Sequence, residues 1–355
     1  SMKKHKFCAG PSILPKEVII QAAESILDIN ESGLSLLEIS HRSKAFVDIM
    51  EEARSLVLEL TKLNRKDYSV LFLQGGASTQ FSMVPYNILS KKAAYLDTGS
   101  WSSKAIKEAK LFGEITEIAS SKDSNYNYIP KNYTISEDCD YFHCTSNNTI
   151  YGTQIKEFQS SIIPVVCDMS SDIFSRQLDF SKFDLIYAGA QKNLGPAGTT
   201  VVIIKNSVLG NTSRNIPSMM DYQTHINKSS LYNTPPVFSV YVSLLNMRWL
   251  KSSGGIKKLE EINNKKATIL YSEIDINPFF KGHAKEEDRS AMNVTFNLVN
   301  DDFKETFDSM LKDAGIIGIN GHISIGGYRA SMYNAMPIES VKTLVEVMSE
   351  LENKL

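Results

Sequence analysis

Several features that mark other classes of protein are missing from this 355-residue sequence. No uninterrupted apolar run approaches the ~20 residues that a membrane-spanning helix needs, so we expect no association with a membrane. Charges of one sign form no long block, since 38 Lys and Arg are mixed with 40 Asp and Glu to give a net charge of −2. This balance argues against a dedicated nucleic-acid-binding protein. The basic residues near the amino terminus are not followed by the apolar stretch of a secretory signal.

Cysteine and histidine are also sparse. The six histidines form no HExxH pattern, and no CxxC pair occurs among Cys8, Cys139, Cys144 and Cys167. The spacing of these residues therefore indicates neither a metal site nor a redox-active dithiol. So few cysteines suit a reducing compartment, and we expect a cytoplasmic protein whose thiols are free.

What the sequence does contain is an alternation of helical and strand-like segments. Residues 16–29 and 44–63 carry apolar residues at helical spacing, the second behind Ser43 as a possible cap. The apolar face of the first helix is expected to consist of Val18, Ile19, Ala22, Ala23 and Ile26. Short apolar runs of strand length follow at 69–74, 162–167, 184–188 and 200–204. This alternation predicts an α/β domain built on a mainly parallel central sheet.

The pattern changes past residue 255. A Lys/Glu-rich helix, a strand-like segment at 292–299, a helix at 301–314 and a last helix from Pro337 suggest a smaller α+β domain. The predicted organisation is a large domain at 16–255, a small carboxyl-terminal domain at 256–355, and an amino-terminal segment, 1–15, that packs with the small domain.

The segment GGASTQF, residues 75–81, is a candidate anion-binding loop. It joins a predicted strand to a helix start, where backbone N–H groups point towards an anion, and Ser78 and Thr79 add hydroxyl donors. The segment fits neither a P-loop nor a dinucleotide-binding fingerprint. A plain glycine-rich turn is an equally good interpretation of this segment taken alone.

Lys192 and Asp168 are the candidate reactive side chains. An apolar strand leads to Lys192 in a loop of small residues, which leaves space beside the amine for a bulky planar group. Asp168 ends another strand-like run 24 residues upstream. Both residues are expected at the carboxyl ends of strands, the edge of an open α/β sheet where ligands bind. A lysine in a turn is more often simply solvated, and it is this context that favours a functional role.

A carboxylate, a lysine and an anion-binding loop at one sheet edge meet the requirements of pyridoxal phosphate. The lysine would form a Schiff base, the carboxylate would keep the pyridine nitrogen protonated, and the loop would bind the phosphate. Trp101, in a turn that leads into a helix, could cover the ring, although a tryptophan is more often part of the core. Each signal is weak alone; together they favour a pyridoxal-phosphate enzyme.

A series of motifs runs in a fixed order through nearly the whole chain. They are FCAGPSILP (7–15), EISHRSK (38–44), GGASTQF (75–81), TGSWSSKA (98–105), NNTIYG (147–152), VVCDMSSD (165–172), YAGAQKNLGPAG (187–198), YNTPPVFSVY (232–241), RSAMNV (289–294) and GGYRASMYNAMP (326–337). Together these motifs resemble the phosphoserine aminotransferase family, which belongs to the class V aminotransferases of fold type I. Lyases and desulfurases of that fold share the lysine but are not expected to carry this motif set.

The resemblance implies roles for the cofactor-binding residues. The lysine after the AGAQ segment, here Lys192, would carry pyridoxal 5'-phosphate as an internal aldimine. Asp168 would pair with the pyridinium nitrogen, Trp101 would stack on the ring, and Thr149 would hydrogen-bond near the ring's phenolic oxygen. The phosphate would be bound by Ala77, Ser78 and Gln191 and, from the neighbouring subunit of a homodimer, by Asn233 and Thr234.

The resemblance also implies a substrate pair and the residues that bind it. The family transfers an amino group from L-glutamate to 3-phosphooxypyruvate by a ping-pong scheme, forming O-phospho-L-serine and 2-oxoglutarate. Arg329 would grip the α-carboxylate, a bidentate task suited to guanidinium. His41 and Arg42 would reach across the dimer to the distal phosphate or γ-carboxylate, and His322 would contact the phosphate as well.

One position departs from the family pattern. The family usually has arginine after the histidine that is His322 here, whereas this sequence has Ile323. A lost charge-assisted hydrogen bond costs about 1.5–3 kcal/mol. Either His41 and Arg42 compensate for the loss, or the enzyme prefers a different acceptor.

Three other functions compete with this interpretation. A class V aminotransferase of the alanine–glyoxylate type would keep the cofactor and change the acceptor. A non-catalytic α/β module would bind a phosphorylated ligand at the GGAST segment without reacting with it. A nicotinamide-dependent dehydrogenase is disfavoured, because no GxGxxG follows the first strand.

Overall fold

The computed structural model describes residues 3–355, so the first two residues of the predicted segment 1–15 lie outside the described range. In chain order the helices are α1 (Lys16–Leu27), α2 (Lys44–Thr61), α3 (Gly76–Ile88), α4 (Ser100–Ala109), α5 (Tyr222–Asn227), α6 (Val237–Ser252), α7 (Gly255–Ile276), α8 (Lys304–Asp313) and α9 (Ile338–Lys354). The strands are β1 (His5–Lys6), β2 (Tyr68–Leu73), β3 (Lys92–Asp97), β4 (Glu114–Ser120), β5 (Phe142–Thr145), β6 (Asn147–Asn148), β7 (Thr153–Gln154), β8 (Val165–Asp168), β9 (Leu185–Gly189), β10 (Thr200–Lys205), β11 (Phe280–Gly282), β12 (Asn293–Leu298), β13 (Ile316–Ile317) and β14 (Tyr328–Ser331).

A seven-stranded sheet with the order β2-β10-β9-β8-β5-β3-β4 forms the centre of the part of the chain that the structure describes. β10 runs antiparallel to β2 and β9, and the other neighbouring strands are parallel. Both faces of the sheet are buried. On β2, Val70 and Phe72 pack in one core with α2 and α6, whereas Leu71 and Leu73 pack in another with α3 and α4. The predicted α/β fold with a mainly parallel sheet is confirmed.

The direction of these strands creates one functional edge. β2 leads into α3 and β3 leads into α4, while β5, β8 and β9 end at Thr145, Asp168 and Gly189. Because the carboxyl ends of parallel strands meet at the same edge of a sheet, the loops and helix starts that follow them face one another. The candidate site lies at this edge.

The two amino-terminal helices differ in how closely they match the sequence pattern. α2 begins after Ser43, whose Oγ accepts a hydrogen bond from Phe46 N at 3.4 Å, so the predicted cap is confirmed. α1 buries Val18, Ala22 and Ser25, whereas the predicted face also included Ala23 and the isoleucines 19 and 26, which are exposed. The buried stripe is narrower because the helix packs mainly against α6 and the turn Leu36–Glu38, which leaves its other sides exposed.

The carboxyl-terminal part of the chain has its own sheet and its own apolar cluster. β11, β12 and β14 form an antiparallel sheet, and β1 pairs in parallel with β13. Phe7 is packed in the same cluster as Phe296 and Leu344, which connects the amino-terminal segment to these elements. Across the described range, no helix combines the length and the apolar character that crossing a bilayer requires.

Candidate active site

A pocket at the carboxyl edge of the sheet contains most of the residues that the sequence points to for cofactor binding. We call it the lysine pocket, and its lining residues are Gly76, Ala77, Ser78, Phe81, Trp101, Thr145, Asn147, Thr149, Asp168, Ser170, Ser171, Gln191 and Lys192. They come from segments far apart in the chain, and the parallel sheet brings them together. The sequence analysis assigned seven cofactor-binding residues to a single subunit, and all seven line this pocket.

Lys192 provides the amine of the pocket. Its Nζ donates a hydrogen bond to Thr149 Oγ1 at 2.9 Å and lies 5.6 Å from the centroid of the Trp101 ring. Burial lowers the pKa of Lys192 to about 8, the Asp168 carboxylate acts in the opposite direction, and Arg329 lowers it further. An amine with a depressed pKa is available as a nucleophile or base near neutral pH.

The loop that carries Lys192 is packed tightly against the amino-terminal segment. Gln191 O accepts a hydrogen bond from Ser12 N at 2.9 Å, and Ser12 Oγ donates to Lys192 O. A Cβ placed on Gly10 would lie 3.3 Å from Lys192 Cγ, which is closer than an ordinary contact. The Gly10 backbone thus limits the positions that the lysine stem can adopt.

Asp168 is the last residue of β8 and is buried. Its Oδ1 accepts hydrogen bonds from Ser170 N at 3.0 Å and from Ser170 Oγ at 2.7 Å. Burial raises the pKa of Asp168, while these two hydrogen bonds and the nearby Lys192 favour the charged form. Both Ser170 donors reach the same oxygen, so the carboxylate is held in one orientation beneath the pocket.

The first turn of α3 forms the predicted anion-binding loop. Gly75 and Gly76 have φ values of +98° and +66°, which turn the chain sharply from β2 into the helix. The first N–H groups of a helix have no intrahelical partner, so the amides of Ala77 and Ser78 can bind an anion. A Cβ on Gly76 would meet no atom within 4 Å, which leaves free space beside these amides.

Two buried polar atoms in the pocket lack hydrogen-bond partners among the described residues, namely Trp101 Nε1 and Thr145 Oγ1. A buried polar group without a partner costs free energy, so such atoms at a pocket point to a ligand with polar groups of its own. With the indole of Trp101, Lys192, the buried carboxylate of Asp168 and the amides of α3, the pocket fits a flat phosphorylated ring.

Arg329 and His322 approach the pocket from the carboxyl-terminal part of the chain. Arg329, on β14, donates from Nη1 to Thr149 O at 3.4 Å, and burial lowers the pKa of its guanidinium. His322 Nδ1 accepts a hydrogen bond from Ser324 N at 3.1 Å. Burial lowers the pKa of His322, and the positive charges of Arg329 and Lys104 add to that effect.

Six predicted residues do not line the lysine pocket of their own chain: Arg329 and His322, and the four that the resemblance assigns to the neighbouring subunit. His41 is half-buried and Arg42 exposed in the loop before α2, where Arg42 N bonds to Ser40 Oγ at 3.0 Å. Asn233 lines a neighbouring cavity, and Thr234 O accepts a hydrogen bond from Gln74 Nε2 at 2.8 Å.

Two residues that shape the site were missed by the sequence analysis. Ser170, which orients Asp168, lies inside the DMSS segment, and a serine two residues after an aspartate is a recognisable signal for a local hydrogen bond. Thr145 ends β5, and its only signal is its place after an apolar run.

Comparisons with known proteins agree with this geometry. The family model for class V aminotransferases matches residues 6–344. The phosphoserine aminotransferase of Flavobacterium psychrophilum is 67% identical, and the match covers 100% of both chains. The solved phosphoserine aminotransferase from Bacillus circulans subsp. alkalophilus has a TM-score of 0.95 at 42% identity, with 98% of each chain covered. The enzyme from Trichomonas vaginalis, solved with pyridoxal phosphate (PLP) bound, has a TM-score of 0.93 at 34% identity and covers 98% of this chain and 100% of its own. The chain belongs to the class V aminotransferases and, within them, to the phosphoserine aminotransferase family.

Proposed function

We propose that this chain transfers the amino group of L-glutamate to 3-phosphooxypyruvate, forming O-phospho-L-serine and 2-oxoglutarate in serine biosynthesis, with pyridoxal 5'-phosphate as cofactor. The observation that carries the proposal is the lysine pocket, where the Lys192 amine, the buried Asp168 carboxylate and the first turn of α3 surround one space. Family membership at high identity supports the same activity.

Different residues of the pocket bind different parts of the cofactor. When bound, pyridoxal phosphate supplies a ring that accepts the electron pair left when a proton departs from Cα of an amino acid. Ala77, Ser78 and Gln191 would hold its phosphate, and the Trp101 indole would lie against its ring. Asp168 would keep a proton on the ring nitrogen.

Lys192 attaches the cofactor and moves the proton. With the cofactor bound, Lys192 Nζ would be the group that takes the proton from Cα of the substrate, and Thr149 Oγ1, its hydrogen-bond partner, would hold it in place. A base is most effective when its pKa lies near the working pH, and the burial that lowers the pKa of Lys192 serves this requirement.

The substrate is held at both ends. Arg329 binds the α-carboxylate, and its bond to Thr149 O places the guanidinium near the lysine. His322 contacts the distal phosphate from the same subunit. His41 and Arg42 act in the pocket of the partner subunit of a homodimer, as do Asn233 and Thr234 towards the cofactor phosphate. None of the four lines the pocket of its own chain, and the exposed side chain of Arg42 can reach a neighbouring subunit. We place the enzyme in the cytoplasm.

A comparison of acceptors tests the proposal. The holoenzyme is supplied with L-glutamate and, separately, with 3-phosphooxypyruvate, glyoxylate and pyruvate, and kcat/KM is measured for each acceptor. We expect 3-phosphooxypyruvate to be preferred by at least about 100-fold, because its phosphate forms charge-assisted hydrogen bonds that the other acids cannot form. A preference for glyoxylate would instead identify an aminotransferase of the alanine–glyoxylate type.

A further inference from the structure

Ile323 leaves the predicted phosphate-binding region without a cation at that position. Its side chain is 95% exposed and can make no charge-assisted contact with a phosphate. Its neighbour His322 has a pKa that burial and two nearby cations lower, so His322 is largely neutral near pH 7. Arg42 reaches this phosphate across the proposed dimer, and a doubly charged phosphate can bind a second positive group, from the same subunit.

Lys104 lies where such a group is needed. It follows Trp101 by one turn on α4, and its Nζ lies 4.5 Å from the centroid of the Trp101 ring. Lys192 Nζ lies 5.6 Å from the centroid of the same ring. The amines of Lys104 and Lys192 are therefore both close to the Trp101 indole. Lys104 therefore lies beside the indole that covers the lysine pocket.

The surroundings of Lys104 leave its charge available. It forms no salt bridge with any residue in the range 3–355, although many exposed lysines of this chain do. The charges of Lys104 and Arg329 both lower the pKa of His322, so the two cations lie near that imidazole. A group of cations attracts an anion.

We propose that Lys104 is a substrate-binding residue that contacts the distal phosphate of the acceptor and supplies the positive charge that Ile323 cannot. This assignment rests on the proposed function. The α-carboxylate and the phosphate of 3-phosphooxypyruvate lie at opposite ends of the molecule. With the carboxylate on Arg329, the phosphate extends past Trp101 towards Lys104 and His322. Stacking on the indole restricts the lysine to orientations that serve this contact.

The test compares two acceptors that differ only in the phosphate, 3-phosphooxypyruvate and hydroxypyruvate. For a ping-pong enzyme, kcat/KM of the acceptor reports only the half-reaction in which it takes part, so effects on glutamate binding do not enter. We expect Lys104→Gln to lower kcat/KM for 3-phosphooxypyruvate about tenfold, the effect of losing one charge-assisted hydrogen bond in a partly exposed site. With hydroxypyruvate, kcat/KM should change by no more than about twofold.

Two further variants serve as controls. Lys107→Gln removes an exposed lysine from the same helix and should leave both acceptors unaffected. Lys104→Arg keeps the charge and the stacking and should retain most of the preference for the phosphorylated acid. An unchanged kcat/KM in Lys104→Gln, or an equal fall with both acceptors, would overturn the assignment. A wild-type holoenzyme that turns over neither acid would refute the proposed function and, with it, this inference.

Discussion

The Lys192 amine is held in place by several neighbours. It is buried, bonded to Thr149 Oγ1, and flanked by the charges of Asp168 and Arg329. We expect Lys192→Ala to lower kcat by at least about 100-fold, because the variant loses both the cofactor attachment point and the base. The measurement is turnover of L-glutamate and 3-phosphooxypyruvate, with thermal unfolding of the same sample as the control for folding. Near-normal turnover would refute the assigned role.

A second buried group, His143, gives a prediction about stability. Its Nε2 lies 2.8 Å from the Tyr187 hydroxyl, and its ring stacks on Tyr95 with centroids 4.6 Å apart. Burial lowers the pKa of His143 to about 3, so the ring stays neutral in the folded protein. Below pH ~6.5 the unfolded chain binds a proton that the folded chain does not, and stability is lost as the pH falls from about 6.5 towards 3.

We therefore expect His143→Gln to flatten this pH dependence. The amide can still hydrogen-bond to Tyr187 but does not titrate. Between pH 6.5 and 5 the variant should lose less free energy of unfolding than the wild type, by up to about 2 kcal/mol. Urea unfolding at the two pH values measures the difference. His283→Gln, which changes a histidine near the surface, is the matched control, and an identical pH dependence in wild type and His143→Gln would contradict the account.

At the scale of elements, the turn from β2 into α3 is the most sensitive part of the site. A Cβ on Gly75 would lie 2.0 Å from Thr79 Oγ1, and the φ of Gly75 is +98°. Gly210 has a φ of +85° but no atom within 4 Å of an added Cβ. We expect Gly210→Ala to cost about 1 kcal/mol of unfolding free energy, the cost of left-handed backbone.

Gly75→Ala should cost about 2–4 kcal/mol, because overlap with the Thr79 side chain adds to the backbone strain. It should also weaken binding of pyridoxal phosphate to the apoenzyme, since Ala77 and Ser78 lie in the displaced turn. Chemical unfolding and cofactor titration measure the two effects. If Gly75→Ala and Gly210→Ala lowered the unfolding free energy equally, α3 would tolerate the overlap between the new Cβ and the Thr79 side chain.

The elements also show where sequence reasoning succeeds and where it stops. β8 and β9 are short apolar runs that end beside polar residues, so their places, and the meeting of Asp168 and Lys192 at one sheet edge, could be predicted. β4 gives no such signal, because Glu114 and Glu117 interrupt its apolar residues at the edge of the sheet. The strand order depends on pairings between distant segments, which local patterns do not encode. Thr145 and Ser170 were missed because common hydroxyl residues gain a role only through their orientation in the folded chain.

At the scale of the whole molecule, the proposed dimer predicts active sites shared between subunits. Lys192→Ala and Arg42→Ala should each be nearly inactive alone. In a mixed dimer, the site that keeps Lys192 receives an intact Arg42 from its partner. After denaturation and joint refolding of equal amounts, we expect roughly a quarter of the wild-type activity, since half the dimers are mixed and each has one intact site. Activity no greater than that of the separate variants would show that Arg42 acts in its own chain.

The division of the chain at residues 15 and 255 stays a prediction at this scale. Phe7 packs among residues of the carboxyl-terminal cluster, and the central sheet has separate cores on its two faces. Limited proteolysis that cuts first near Gly254 would support the boundary between the predicted large and small domains.

The central claim is that this pocket carries an amino group from glutamate to a phosphorylated keto acid, and the two half-reactions of the holoenzyme test it most directly. The visible absorbance of the bound cofactor is followed while L-glutamate is added, and then while 3-phosphooxypyruvate is added after the glutamate has been removed. We predict that glutamate bleaches the long-wavelength band and that 3-phosphooxypyruvate restores it at low concentration, while glyoxylate and pyruvate do not. Bleaching that only glyoxylate or pyruvate reverses would contradict the account and leave an aminotransferase with a different acceptor.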